Sequence, residues 1–158
     1  MKKLLVTLLF LTLGTAWGGA FEDGFAAAER KDYATAFKLW RPLAEQGNVF
    51  AQNNLGVMYK NGQGVLQDYK EAIKWYRLAA EQGNASAQFN LGVMYKNGYG
   101  VTQDYARAHM WYNLASAAGG SEYGTKNRDI IAQKMTPNQI EKAQEMAKAC
   151  QARNFKGC

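Results

Sequence analysis

Residues that build metal and redox sites are scarce in this sequence. Its 158 residues include one histidine, His109, and two cysteines, Cys150 and Cys158. Two thiolates do not complete the tetrahedral shell of a zinc ion, and the two cysteines are too far apart for a Cys-x-x-Cys redox motif. The sequence therefore predicts no metal ligands and favours a structural role for both cysteines.

The motifs of serine hydrolases are absent as well. A serine β-lactamase needs a lysine three residues after its nucleophile, and Ser86, Ser116 and Ser121 each lack one. A Ser-His-Asp triad would have to use His109, which falls on the packing stripe of a predicted helix. The Gly-x-Gly segments at 62–64 and 98–100 follow predicted helices rather than strands, so no phosphate loop is expected. The sequence thus predicts no catalytic and no cofactor-binding residues.

Long apolar runs are absent except at the start of the chain. Residues 4–13 are apolar, follow two lysines and are too few to span a bilayer. Small residues come next, which predicts a signal peptide over residues 1–20, cut after Ala20, with a cut after Ala16 as the alternative. An uncleaved membrane anchor is disfavoured because the run is short. The rest of the chain is long enough for one domain, and we expect it in the periplasm or outside the cell.

Most of the chain carries no excess charge of either sign. The formal net charge is +6, but residues 21–125 hold ten basic and ten acidic side chains. The excess lies in residues 126–158, which hold seven basic and three acidic side chains. No nucleic-acid motif is present, so pI alone does not predict binding to DNA or RNA. Binding of the basic tail to an anionic envelope polymer is an alternative to a solvated helix face.

An internal repeat with an offset of 36 residues occupies the middle of the chain. Residues 48–83 and 84–119 are identical at 23 of 36 positions. A repeat of this length is typical of a solenoid, whose units bury their apolar faces by stacking on one another. Because solenoids mostly bind other molecules, the repeat favours a binding function over catalysis.

Each full unit is predicted to contain two helices. In the first helix, residues 49–60, Ala51, Leu55 and Met58 share one face, and Gly56 allows a neighbouring helix to approach closely. Asn61 and Gly62 stop this helix. Asp68 caps the second helix, with Glu71 expected to complete a capping box. The buried stripe of the second helix is expected to contain Tyr69, Ala72, Ile73, Tyr76 and Ala80.

The two ends of the solenoid are predicted to differ from its middle. An incomplete first unit has a short helix near 22–30 and lacks the Gly-x-Gly loop, and its Trp40 aligns with Tyr76 and Tyr112. The repeats therefore cover residues 21–120. Residues 121–158 are expected to form a helical cap, with one helix over 121–134 and another that starts at Thr136 and Pro137. The apolar stripe of this last helix would contain Ile140, Ala143, Met146 or Ala147, and Cys150.

The two cysteines follow the predicted signal peptide into an oxidising compartment. Because their number is even, a disulfide between Cys150 and Cys158 is expected. This bridge would close a short loop at the end of the cap.

The two halves of the unit resemble a known family. The patterns Ala-Gln-x-Asn-Leu-Gly-x-Met-Tyr-x-x-Gly-x-Gly-Val and Asp-Tyr-x-x-Ala-x-x-Trp-Tyr-x-x-Ala are similar to the Sel-one-like repeat, a relative of the tetratricopeptide repeat. The resemblance implies a right-handed all-α solenoid that scaffolds protein–protein contacts in the bacterial envelope, without naming the partner. One branch of this family is linked to β-lactam binding, but its repeats each contain a cysteine pair that is absent here. The alternatives are a β-lactam-binding or β-lactamase-like envelope protein, which the missing cysteine pairs disfavour, and a module that binds peptidoglycan or another polymer.

Positions that vary within a constant frame are the predicted partner surface. On the first helices and their loops the varying positions are Asn53 against Phe89 and Gln63 against Tyr99, and the matched Lys60 and Lys96 share their outward face. Residues 53, 60, 89 and 96 are expected to lie opposite the packing stripe, with Phe89 as an aromatic anchor. The alternative is that Phe89 packs on a neighbouring helix pair, since aromatic residues at matched helical positions are mostly core.

Overall fold

The computed structural model describes residues 19–119 and 122–158, which fold as an all-α solenoid. This described part contains eight helices. They are α1 (19–29), α2 (Tyr33–Glu45), α3 (Val49–Asn61), α4 (Tyr69–Ala80), α5 (Ala85–Asn97), α6 (Tyr105–Gly119), α7 (Glu122–Ala132) and α8 (Pro137–Ala152). None of these helices is long and apolar enough to cross a membrane. The signal peptide predicted from residues 1–20 lies almost entirely outside the described residues.

The first six helices form three stacked pairs, α1/α2, α3/α4 and α5/α6. The prediction of two helices per full unit is confirmed, and the first unit is also a helix pair. Its connection covers only residues 30–32, whereas the connections at 62–68 and 98–104 contain the Gly-x-Gly loops. The N-terminal unit is thus shortened in its loop while it keeps both helices.

Local hydrogen bonds at the helix ends explain where the helices begin and stop. Asn48 Oδ1 accepts from Ala51 N at 2.9 Å, and Asn84 makes the same cap one unit later. Gly62 ends α3 in the left-handed conformation, with a φ of 67°, which favours glycine. The prediction of Asp68 as the cap of α4 is confirmed.

The predicted capping box at the start of α4 is wrong. Glu71 Oε1 is bonded to Lys74 Nζ at 3.0 Å, one turn further along the helix. The Asp68 N–H that a capping box would use donates to the Tyr59 carbonyl at 2.9 Å instead, so Glu71 has no backbone donor to accept from. The predicted box does form at the start of α8, where Thr136 and Gln139 exchange both bonds.

Each unit is held together by an aromatic ring that lies against a glycine of the facing helix. A Cβ placed on Gly56 would lie 2.5 Å from the Tyr76 ring, and one on Gly92 would lie 2.5 Å from the Tyr112 ring. Gly24 faces Trp40 in the same way in the first unit. The predicted close approach at Gly56 is therefore confirmed, and so is the alignment of Trp40 with the two tyrosines.

Successive units are joined by buried glutamines and by the loops. Gln52 Nε2 donates to the Ala44 carbonyl at the end of α2, and Gln88 repeats this bond to Ala80. The second glycine of the loop, Gly64, lies against the backbone of Tyr33 at the start of α2, where a Cβ would clash. Each loop thus packs on the preceding unit, so the stacking does not depend on side-chain burial alone.

The last two helices form the predicted cap, since both α7 and α8 pack on α6. Ala143, Ala147 and Cys150 of α8 are buried. Cys150 and Cys158 form the expected disulfide, with a Cα–Cα distance of 5.6 Å. The tail folds back on the second unit, where Gly157 N donates to Glu81 Oε1 at 3.3 Å.

Candidate functional site

His109 lies on the buried face of α6 and is only 3% exposed. Its Nδ1 has no hydrogen-bond partner among the described residues. Burial lowers the pKa of the imidazole below its usual 6.5, and the charge of Arg128 adds to this effect. In the described ranges 19–119 and 122–158, no three His, Cys, Asp or Glu side chains are grouped so that they could hold a metal ion.

We expect His109→Ile to reduce the dependence of stability on acid pH. The folded state holds the pKa of His109 below the value in the unfolded chain, so the unfolded chain binds the proton more readily. The contribution of His109 is complete above about pH 6.5 and declines as the pH falls below it. Isoleucine occupies the matching position 73 of the preceding unit, so an isoleucine at position 109 is compatible with the packing of the helix pair. Urea midpoints of both chains between pH 7 and pH 5 check this: parallel declines would contradict it.

The candidate binding site is a groove between the first and second units, called the first-helix groove below. It has a volume of about 290 Å³. Its lining residues come from α1, α2, and α3 with its loop: Phe25, Ala28, Glu29, Tyr33, Trp40, Asn54, Val57, Met58 and Gln63. The groove is mostly apolar and has a few polar groups at its rim, which is the usual composition of a binding site.

Phe25 is the main exposed apolar residue of the groove. It is 51% exposed, whereas Trp40 at the floor is 4% exposed. Trp40 is fixed by a hydrogen bond from its Nε1 to the Phe21 carbonyl at 3.1 Å and by packing against Gly24. A rigid floor below an exposed aromatic ring can accept an apolar side chain with little loss of conformational entropy.

The polar rim of the groove contains one amide that is free to pair. Asn90 of the third unit donates from its Nδ2 to Asn53 Oδ1 at 3.2 Å. Its counterpart in the second unit, Asn54, has no side-chain hydrogen bond to another described residue and lines the groove. Asn54 can therefore donate to and accept from the backbone of a bound segment, as amide side chains do.

The six residues predicted as a partner surface are not gathered at one place. Gln63 lines the first-helix groove, and Asn53 is engaged with Asn90. Lys60 and Lys96 are half-buried in the last turns of α3 and α5. The Tyr99 ring stacks on the Tyr69 ring of the preceding unit, with centroids 4.8 Å apart. Of the six, Gln63 is the residue that lines the first-helix groove.

The predicted outward position of Phe89 is wrong. Its ring is half-buried and lies 5.4 Å from the ring of Tyr112. Phe21 and Trp40 make the same contact in the first unit, at 6.0 Å. Phe89 lies one helical turn before Gly92, so its ring can reach the Tyr112 ring of the second helix. This apolar contact removes more of the ring from water than an outward position would, which is favourable.

Sequence reasoning missed Phe25, Asn54 and Val57 as groove residues. The glycine contacts align Gly24 with Gly56, an offset of 32, which brings Phe25 to the position of Val57. The offset between full units is 36, so the shorter connection at 30–32 hid this match. An alignment of α1 on its glycine would have placed Phe25 on the same face as Val57.

The solved structures that are similar to this chain include two bacterial proteins. One is the crystal structure of c5321, a protective antigen of uropathogenic Escherichia coli strains with an SLR fold, at 31% identity and a TM-score of 0.81. That match covers 88% of this chain and 31% of the antigen. The other is a Sel1 repeat protein from Oxalobacter formigenes, at 37% identity and a TM-score of 0.59, over 62% of this chain and 39% of that one. The chain thus spans about a third of the length of both solved relatives.

The remaining comparisons concern sequence alone. No curated protein matches the chain. The family model described as the Sel1 repeat matches residues 16–48, 49–84 and 85–120, which correspond to the three stacked helix pairs. This chain therefore belongs to the Sel1 repeat family.

Proposed function

We propose that this protein is a non-catalytic scaffold for protein–protein contacts in the periplasm or outside the cell. Sel1 repeats generally mediate protein interactions. The observation that supports a binding function most directly is the first-helix groove, with the half-exposed ring of Phe25 above the buried ring of Trp40. A partner segment would place an apolar side chain against these rings, while Asn54 pairs with its backbone.

The location is proposed from the start of the chain and from the disulfide. Residues 1–20 have the pattern of a signal peptide, and the Cys150–Cys158 bridge suits an oxidising compartment. Ala20 and Phe21 pack on the core of the first unit. A cut after Ala16 would keep both residues, whereas a cut after Ala20 would keep only Phe21. The intact mass of the exported protein distinguishes the two sites.

The six residues of the predicted partner surface remain part of this proposal, but we expect them to contribute unequally to partner contacts. Gln63 is the strongest of them because it lines the groove. Tyr99 is 38% exposed and presents one edge of a stacked pair. Asn53, Lys60, Phe89 and Lys96 are half-buried, so we propose that they support the surface and make contacts only at its edge.

Site-directed photo-crosslinking tests the proposed groove. A benzoylphenylalanine in place of Gln63 should form adducts with a partner protein in the producing cell. The same residue in place of Leu66 is the matched control, because Leu66 lies in the same loop, is 91% exposed and does not line the groove. We expect adducts at 63 that are absent at 66.

A second substitution shows whether these adducts depend on the groove. Phe25→Ala should reduce the adducts at 63 by about thirtyfold, since loss of an interface aromatic residue costs about 2 kcal/mol of binding. The half-exposed position of Phe25 predicts a nearly unchanged melting temperature. Equal adducts at 63 and 66, or adducts that persist in Phe25→Ala, would exclude the groove as the binding site.

A further inference from the structure

Two arginines from neighbouring second helices meet at one tyrosine hydroxyl. Arg77 Nη2 of α4 donates to Tyr95 Oη at 2.8 Å, and Arg107 Nη1 of α6 lies 3.5 Å from the same oxygen. Tyr95 is 2% exposed, while both arginines are exposed. The three side chains line a cleft of about 370 Å³, with Thr102 and Asp104 at its edge. The cleft therefore has a buried hydroxyl at its base and two cations at its mouth.

The positive charge of this cleft is only partly balanced. Asp104 Oδ2 lies 3.5 Å from Arg107 Nε. Arg77 has no ion pair with a described residue, although Glu81 follows it by one helical turn. Glu81 Oε1 accepts from Gly157 N instead, at 3.3 Å. The C-terminal tail thus engages the carboxylate that lies one helical turn from Arg77.

The matched positions of the preceding unit carry a balanced charge. Arg41, Tyr59 and Glu71 occupy the positions of Arg77, Tyr95 and Arg107, each 36 residues earlier. Arg41 Nε pairs with Glu45 at 2.9 Å. The hydrogen bond to Glu45 raises the pKa of the Arg41 guanidinium, and the charge of Glu71 raises it further. Where the preceding unit has the Glu71 carboxylate, the later unit has the guanidinium of Arg107, so the two arginines face one hydroxyl without that carboxylate.

We propose that Arg77, Tyr95 and Arg107 form a binding site for a carboxylate of an acidic segment. The planar guanidinium group presents paired N–H donors that match the two oxygens of a carboxylate. In the preceding unit the Glu45 carboxylate lies 2.9 Å from the matched arginine, Arg41. This site depends on the proposed function in one respect: the carboxylate belongs to an acidic stretch of a protein partner.

NMR titration of the ¹⁵N-labelled protein with blocked tripeptides tests the site. The probe is N-acetyl-Gly-Glu-Gly-amide, the control is the glutamine analogue, and a separate arm uses inorganic phosphate. All are compared at one ionic strength, because exposed charges are screened by salt. We expect saturable shifts of the Arg77 and Arg107 side-chain signals with the glutamate peptide, at about millimolar affinity. The glutamine peptide should give none.

Three variants separate a built site from general attraction to positive charge. Arg107→Glu introduces the glutamate that the preceding unit has at the matched position 71, and Arg77→Ala removes the other guanidinium of the site. Each variant should weaken binding of the glutamate peptide at least tenfold. Arg41→Ala removes one positive charge from the matched earlier position and should leave the affinity unchanged. Arg107 lies in the first turn of α6, where an acidic residue is favourable, so Arg107→Glu should fold.

Several outcomes would overturn the proposal. They are the absence of saturable shifts with the glutamate peptide, equal binding of the glutamine peptide, and unchanged affinity in Arg107→Glu. Tighter binding of phosphate than of the glutamate peptide would reject the carboxylate as the ligand. Crosslinking through Gln63 does not involve this cleft, so failure of the carboxylate site leaves the groove result intact, and the reverse also holds.

Discussion

Gly92→Leu is expected to lower the free energy of unfolding by more than about 2 kcal/mol, at the upper end of the usual range for single substitutions. Even a Cβ at this position would lie 2.5 Å and 2.6 Å from two carbon atoms of the Tyr112 ring, and Tyr112 is fully buried. The ring cannot move away without displacing the core, because interiors are close-packed. Gly56→Leu should have the same effect through Tyr76. The measurement is the urea midpoint with its slope.

Ser86→Leu is the matched control for this prediction. Residue 86 lies in the same helix, α5, but is exposed, so an added leucine side chain meets solvent. Its free energy of unfolding should change by less than about 0.5 kcal/mol. The double variant Gly92→Leu with Tyr112→Leu should be less destabilised than the sum of the two single changes, because both act on one contact. An unchanged midpoint in Gly92→Leu, or strict additivity, would show that the helix pair tolerates a wider separation.

The helix pairs could be predicted because both full units contain the same capping and helix-stop residues. Asn48 and Asn84 cap the first helices, Gly62 ends one of them, and Asp68 caps a second helix. These are interactions between residues close in sequence, so the residue types alone specify them. The Gly56 contact crosses between helices, but a glycine kept in two copies of a helix indicates a close neighbour.

The candidate site was harder to predict because it depends on contacts between units. Glu71 binds Lys74 because the Asp68 N–H is donated to Tyr59 of the preceding helix, a contact that the local sequence does not specify. Phe89 was assigned to the surface from its angular position on α5, but the direction of its side chain lets it reach Tyr112. The groove beside Phe25 requires the register of α1 against α3, which a shortened connection concealed.

The cleft at Arg77 also depends on a contact that the sequence alone does not reveal. Substitution of Glu71 by Arg107 in the later unit is visible in the repeat, but its meaning depends on Glu81. Glu81 is drawn to Gly157, more than seventy residues further along the chain, by a tail that the disulfide positions. Contacts of such long separation leave no periodic signal in one sequence.

Phe89→Ala is expected to destabilise the protein by about 3 kcal/mol, near the lower end of the range for buried phenylalanines because the ring is only half-buried. The ring packs on Tyr112 in the main core, and its loss would leave part of that ring without a neighbour. The melting temperature should fall by about 10 °C. Circular-dichroism melts measure this directly, and Phe89→Leu should recover most of the loss because it keeps apolar volume beside the tyrosine.

Comparison of Phe89→Ala with Phe25→Ala distinguishes a residue that stabilises the fold from one that contacts the partner. Both residues are phenylalanines on first helices, but Phe25 is half-exposed in the groove whereas Phe89 lies against the core. Phe25→Ala should melt nearly as the parent chain does and lose the adducts at position 63. Phe89→Ala should lose stability first, with binding reduced only in proportion to the unfolded fraction. If Phe89→Ala instead melts like the parent and loses the partner, the binding surface extends to the third unit, and Phe89 acts as the aromatic anchor that its variability between units first indicated.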